Sequence, residues 1–251
     1  MLAGKKGITG VAELMDISGT LKMALSLHPG TERVLIIHDY TNSGLAVRKE
    51  AEASLLEFER KVAIEFLPQV SFEELLTRMN SLQPHTVALI LTFTTDSAGR
   101  SFPLEQSTRL ICSGPVPVYA THETRLGSGI VGGSLLGGEE HGRRAGDIAL
   151  RVLAGESPSS IPVDVSPTAK PMFDYVELAK FGIRETDLPA GSVVVNRPES
   201  LFERHRELVL QVLAVMSTLL GATIVMSITI YRQRRAEKAL QRSEVKYRRL
   251  H

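Results

Sequence analysis

Gly127-Ser128-Gly129-Ile130-Val131-Gly132 has the GxGxxG spacing of a dinucleotide-binding turn, whose glycines let the backbone approach a pyrophosphate. That chemistry needs a strand immediately before the first glycine and a helix opening within the run. Here the polar stretch HETRL precedes and the apolar stretch IVGGSLLGG follows, so the glycines read as a loop and a closely packed strand. Glu139, Glu140 and His141, with His122 and Glu123, offer metal-ligand side chains, but neither cluster has the HExxH spacing that sets two ligands on one helix face. Paired acids at a helix start serve its dipole instead. There is no Gly-x-Ser-x-Gly elbow and no P-loop, and the single cysteine, Cys112, lies in an apolar stretch where it reads as a small core residue. Catalysis is not expected of this chain, nor is a metal or a cofactor.

Recognition remains. Asp39-Tyr40-Thr41-Asn42-Ser43, Thr94-Thr95-Asp96-Ser97 and His122-Glu123-Thr124-Arg125 each follow an apolar run and carry donors and acceptors able to orient a small ligand. Asp39, Asn42, Thr94, Asp96, His122 and Glu123 are the expected ligand-binding residues. Ser43 is expected to open a helix whose free amides suit an anion. Asn, Asp, Ser and Thr also serve as turn and cap residues in any α/β protein, so the argument rests on the three segments sharing one face.

The elements that put them there are legible as alternating patterns. ERVLIIHD, KVAIEFLP, TVALILTF and VPVYAT are short apolar runs, separated by helical patterns ending near residue 59 and spanning about 72–82 and 104–112. Continuous apolar strands between amphipathic helices predict an α/β fold with a doubly wound parallel sheet, which binds ligands outside the carboxyl ends of its strands. GIVGGSLLGG reads as a further strand and residues 140–154 as a helix. The Pro- and Ser-rich SPSSIPVDVSPTAKP reads as an irregular connector, and FDYVELAKFGI as a short helix ending at Gly182.

Residues 208–230, LVLQVLAVMSTLLGATIVMSITI, contain 23 residues and no charge. At 1.5 Å per residue the run is about 34 Å long, enough to cross a hydrocarbon core of roughly 30 Å. A soluble fold would have to bury the whole circumference of this helix with almost no chain left to cover it. From residue 231 onward there are eight Lys or Arg against two acids, whereas the preceding flank, LFERHRE, is balanced. The positive-inside rule therefore places residues before 208 outside the cytoplasm, and it accounts for the basic tail without nucleic acid, for which no reading helix or zinc pattern is present. In the tail, Ala236, Leu240, Ser243, Tyr247 and Leu250 follow heptad spacing, the seam of a parallel helical pair.

PMFDYVELAKFGIRETDLPAGSVVVNRPESLFERHR, the apolar run and then RRAEKALQRSEVKYRRL together resemble bacterial membrane sensor proteins. Their extracytoplasmic part is an ABC-transporter substrate-binding-like domain of type I periplasmic-binding-protein fold. ITGVAEL and HPGTERVLII are similar to that family's second lobe, and SEVKYRRL to the start of a PAS segment. The resemblance implies one lobe over residues 1–170, a membrane-proximal connector over 171–207, a transmembrane helix over 208–230 and a cytoplasmic signalling helix over 231–251. It further implies a small-molecule ligand of unknown identity, and a homodimer through the transmembrane and cytoplasmic helices in the inner membrane. The family's output is usually a histidine kinase. Its chain crosses from the first lobe to the second near the ITGV segment, here Ile8 to Val11, so the first lobe and an export signal are expected to lie outside this sequence. Two other function classes remain: a membrane-tethered substrate-binding component of an ABC-type uptake system, and a membrane-bound α/β enzyme.

Overall fold

RVLII forms β1 (Arg33–Ile37) at the heart of the sheet, and its alternation divides two cores. In the computed structural model, which describes residues 7–198 and 206–248, Val34 and Ile36 face one core while Leu35 and Ile37 face the other. The same division runs through β3 (Thr86–Ile90), whose five residues are all buried. The first core receives α1 (Ile17–Leu27) through Ile17, Leu21 and Ala24, and α2 (Asn42–Leu55) through Ala51 and Leu55. The second receives α3 (Phe72–Asn80) through Phe72, Leu75 and Met79, and α4 (Leu104–Ile111) through Ile111. A strand buried on both faces has no solvent side, which is why its sequence is continuously apolar.

Helix starts are fixed locally. At α3 the Ser71 hydroxyl accepts from the Glu74 amide at 3.2 Å while the Glu74 carboxylate accepts from the Ser71 amide at 2.7 Å, a complete capping box. Asp16 caps α1 by accepting from the Gly19 amide at 2.9 Å.

The sheet has seven strands in the order β2-β1-β3-β4-β5-β6-β7, with β2 (Ala63–Phe66), β4 (Val118–Ala120) and β5 (Gly132–Leu135) completing a parallel series. β6 (Lys170–Asp174) joins β5 antiparallel, with Gly132 opposite Phe173, and β7 (Val193–Val195) joins β6 parallel. The sheet therefore runs beyond residue 170. Part of the stretch expected as a connector over 171–207 supplies its last two strands, with α6 (Tyr175–Lys180) between them. These two strands escape the sequence pattern because each is short and only half-covered, apart from the buried Phe173 and Asp174. Both glycines that open β5 lie at positive φ, and a Cβ at Gly132 would stand 2.2 Å from the Met172 carbonyl oxygen. The GxGxxG run thus serves a loop and a close strand contact, with no helix opening within it.

α5 (Gly138–Leu153) follows β5 and buries none of its residues, leaving Leu150 and Leu153 exposed. Residues 7–12 and 159–164 run together, joined by a parallel bridge between Val11 and Asp164.

The chain divides into two compact units, Met1–Arg197 and Pro198–His251. In the second, α7 (Arg206–Arg248) is a continuous 43-residue helix. Within its segment Glu207–Ala236 an 18-residue window reaches a mean hydropathy of 2.2 and none of that window is buried, so this helix is long and apolar enough to cross a membrane. The hydroxyls of Ser217, Thr218, Thr223 and Thr229 donate to carbonyls one turn back, which satisfies them without water. Of the heptad seam, Leu250 and the side chains of Leu240, Ser243 and Tyr247 lie outside the described residues.

Candidate functional site at the strand carboxyl ends

From β1 the chain passes through α2 to β2 on one side, then through α3 to β3 on the other, so the order reverses between β1 and β3. At such a point the two connections diverge and leave a crevice at the strand carboxyl ends. Asp39 and Thr94 flank it, and parallel β4 delivers His122 and Glu123 to the same end.

Asp39 is fully buried at 1% exposure. One carboxylate oxygen accepts from the Thr41 hydroxyl at 2.6 Å and the Thr41 amide at 3.2 Å. The other accepts from the Thr94 amide at 2.9 Å and hydroxyl at 3.0 Å. Burial alone would raise its pKa, but these four hydrogen bonds outweigh it and hold the carboxyl below its ordinary value. Asp39 therefore ties the end of β1 to the end of β3. The exposed Thr94 holds the far side of that tie.

Asn42 is the exposed first residue of α2; the cap is Thr41, whose hydroxyl accepts from the Gly44 amide at 3.0 Å. The helix opens one residue before Ser43, and part of its amino end is already satisfied by side chains.

Asp96 is drawn away from this pair. Its carboxylate accepts from the amides of Phe72, Ala98 and Arg100 and from the Arg100 guanidinium, which also reaches Glu73 at 2.9 Å. Those bonds, the Arg100 side chain foremost, overcome the upward push of burial and keep Asp96 ionised. It organises the loop over residues 95–101.

His122 stands with Nε2 3.0 Å from the Glu13 carboxylate and Nδ1 3.1 Å from the Thr121 hydroxyl. Glu123 lines a cavity of about 300 Å³ with Gly137, Glu139, Glu140, Arg143 and Lys170 at the carboxyl end of β5. The six expected residues thus share one end of the sheet. Only Asp39 and Thr94 are hydrogen-bonded to each other.

Arg125 is the residue that the sequence pattern did not single out. It is 3% exposed, and its Nη1 donates to the Thr108 hydroxyl at 2.6 Å. Among the described residues its one side-chain partner is this neutral hydroxyl, and burial pulls its pKa down to about 10. It is still charged at neutral pH. Its sequence signal was slight: one arginine in a polar strand-end segment. A second cavity, about 270 Å³ and lined by Arg33, Glu65, Arg78 and Gln83, lies at the amino ends of β1 and β3, away from the switch point.

No family model matches the chain, and no curated protein matches it. Solved structures do. The ABC domain in complex with L-Trp from Streptococcus pneumonia is 18% identical, with a TM-score of 0.58 over 74% of this chain and 62% of its own. A ligand-free, open substrate binding protein with adhesive properties from Clostridium difficile is 17% identical, with a TM-score of 0.57 over 76% and 63%. A conserved domain protein from Vibrio cholerae is 14% identical, with a TM-score of 0.54 over 74% and 62%. The chain spans about three fifths of the length of these structures. The likeness establishes the fold: a doubly wound α/β lobe of the binding-protein kind, on a chain that carries one long apolar helix.

Proposed function

We propose that the chain is the extracytoplasmic small-molecule-sensing module of a membrane-anchored signal-transduction receptor of the two-component sensor type. One observation carries the reading: the chain that builds a polar strand-end face on a binding-protein fold also bears an apolar helix continuing without a break into a basic segment to Arg248. A ligand preferring one arrangement of the lobe would shift its population, and a continuous helix is the means of carrying that shift across a membrane. In this reading the chain is not itself an enzyme, and Asn42, Thr94, His122 and Glu123 meet the ligand while Asp39 and Asp96 shape the loops that present them. The second solved structure is described as a substrate binding protein, which favours the alternative of a tethered component of an ABC-type uptake system. The basic helical extension argues for the sensor, because an anchor alone needs none.

Topology tests the reading. With an export signal supplied, alkaline phosphatase fused after residue 200 is expected to be active and the same enzyme fused after residue 245 inactive. The opposite pattern would overturn the receptor.

A further inference from the structure

Of the buried charges at the strand carboxyl ends, Asp39, Asp96 and Arg125, the two carboxylates are fully partnered and the guanidinium is not. Asp39 spends both oxygens on Thr41 and Thr94 and has nothing left to offer a ligand. Arg125 has a single side-chain partner, the Thr108 hydroxyl, and that hydroxyl is itself held by donating to the Leu104 carbonyl at 2.7 Å. The backbone around Arg125 is pinned on both sides, its amide donating to the His122 carbonyl and its carbonyl accepting from the Ser128 amide. Because Nη1 faces Thr108, the edge formed by Nε and Nη2 is left without a partner among the described residues. That edge is not sealed in: among the described residues the fully enclosed side-chain polar atoms without a partner are His38 Nε2 and His141 Nδ1.

A buried guanidinium with one neutral partner is unfavourable unless an anion completes it. Two parallel N–H groups on a rigid plane match the two oxygens of a carboxylate better than the tetrahedral face of a sugar or an amine. We propose that the Nε/Nη2 edge of Arg125 anchors the carboxylate of the ligand, so that the site takes organic acids or zwitterions. The inference rests on the ligand-binding reading above and deepens it. Thr108 then acts as a positioning residue, setting the guanidinium plane without touching the ligand.

The test uses the full chain in detergent micelles, melted by far-ultraviolet circular dichroism because the sequence has no tryptophan. Sodium benzoate is the probe, sodium chloride of equal ionic strength the control, and benzamide the neutral isostere. Benzoate at ten times its Kd is expected to raise the wild-type Tm by about 3–6 °C. Arg125→Met is expected to abolish that rise while leaving the unliganded Tm unchanged or higher, and Arg125→Lys to retain part of it. Equal benzoate shifts in wild type and Arg125→Met, or no shift in wild type, would overturn the inference. If Arg125→Met fails to fold, the wild-type Arg125 Nε–H resonance decides: movement with benzoate and not with chloride supports the anchor, and an unmoved resonance overturns it. A benzamide shift that survives in Arg125→Met would keep ligand binding and overturn only the carboxylate anchor; no shift with any compound would count against both.

Discussion

Asp39 carries the clearest consequence at the residue scale. Its folded carboxyl titrates below the unfolded value, so between the two the unfolded chain binds more protons and stability rises with pH. This contribution is complete above about pH 4 and lost as the pH falls through the folded value. Asp39→Ala is expected to cost about 1–3 kcal/mol at pH 7, the loss of four hydrogen bonds to a charged group from the part-buried Thr41 and Thr94 donors. The gap from wild type should narrow at pH 3; an equal gap at both pH values in circular-dichroism melts would contradict the tie between β1 and β3. Cys112 is 4% exposed, and burial pushes its thiol up to about 12. Alkylation by iodoacetamide at pH 8 is therefore expected to run at least about a hundredfold slower than in the unfolded chain, and comparable rates would mean the core around Ile111 and Ile130 is open. The residue types at the strand ends were legible, but their roles were not. Asp39 and Thr94 are 55 positions apart, and Glu13 and His122 are 109 apart, so no local pattern couples them. Arg125 carries no stronger local signal for the same reason, since only folding buries this polar-looking turn against α4.

At the scale of elements, continuous apolar runs marked β1 and β3 because burial on both faces leaves no room for alternation. β6 begins with Lys170 and Pro171 inside a Pro- and Ser-rich stretch, so it looked irregular although Phe173 is a core residue. β7 is a three-valine run between Gly191-Ser192 and Asn196, too short to separate from a turn by period. The close contact of β5 with β6 makes a sharp prediction. Gly132→Ala combines a positive φ with a carbonyl oxygen in the way, and should cost about 2–4 kcal/mol by chemical denaturation. A loss below about 0.5 kcal/mol, the range of ordinary surface changes, would show that β6 is not held against β5 as described. In the long helix, cysteines at Leu240 or Tyr247 are expected to cross-link in membranes more readily than cysteines at Lys238 or Glu244. Equal cross-linking at all four would argue against a paired helix.

For the whole molecule, the order 2-1-3-4-5 of the parallel strands matters most, because it fixes which end of the sheet has a crevice before any side chain is considered. The sequence held that order implicitly: successive strand and helix patterns of the right length can wind only a few ways. It did not hold the antiparallel addition of β6, which depends on where the stretch after α5 returns to the sheet. A competing cavity near Arg33, Glu65 and Arg78 lies at the amino ends of the strands. Hydrogen exchange distinguishes the two ends directly. With a small molecule found by thermal-shift screening of the full chain, amides in residues 39–43, 94–97 and 122–125 should gain protection on binding, while those flanking Arg33, Glu65 and Arg78 stay unchanged. Protection confined to the amino-end cavity, or absent from all three strand-end segments, would contradict a binding face at the strand carboxyl ends.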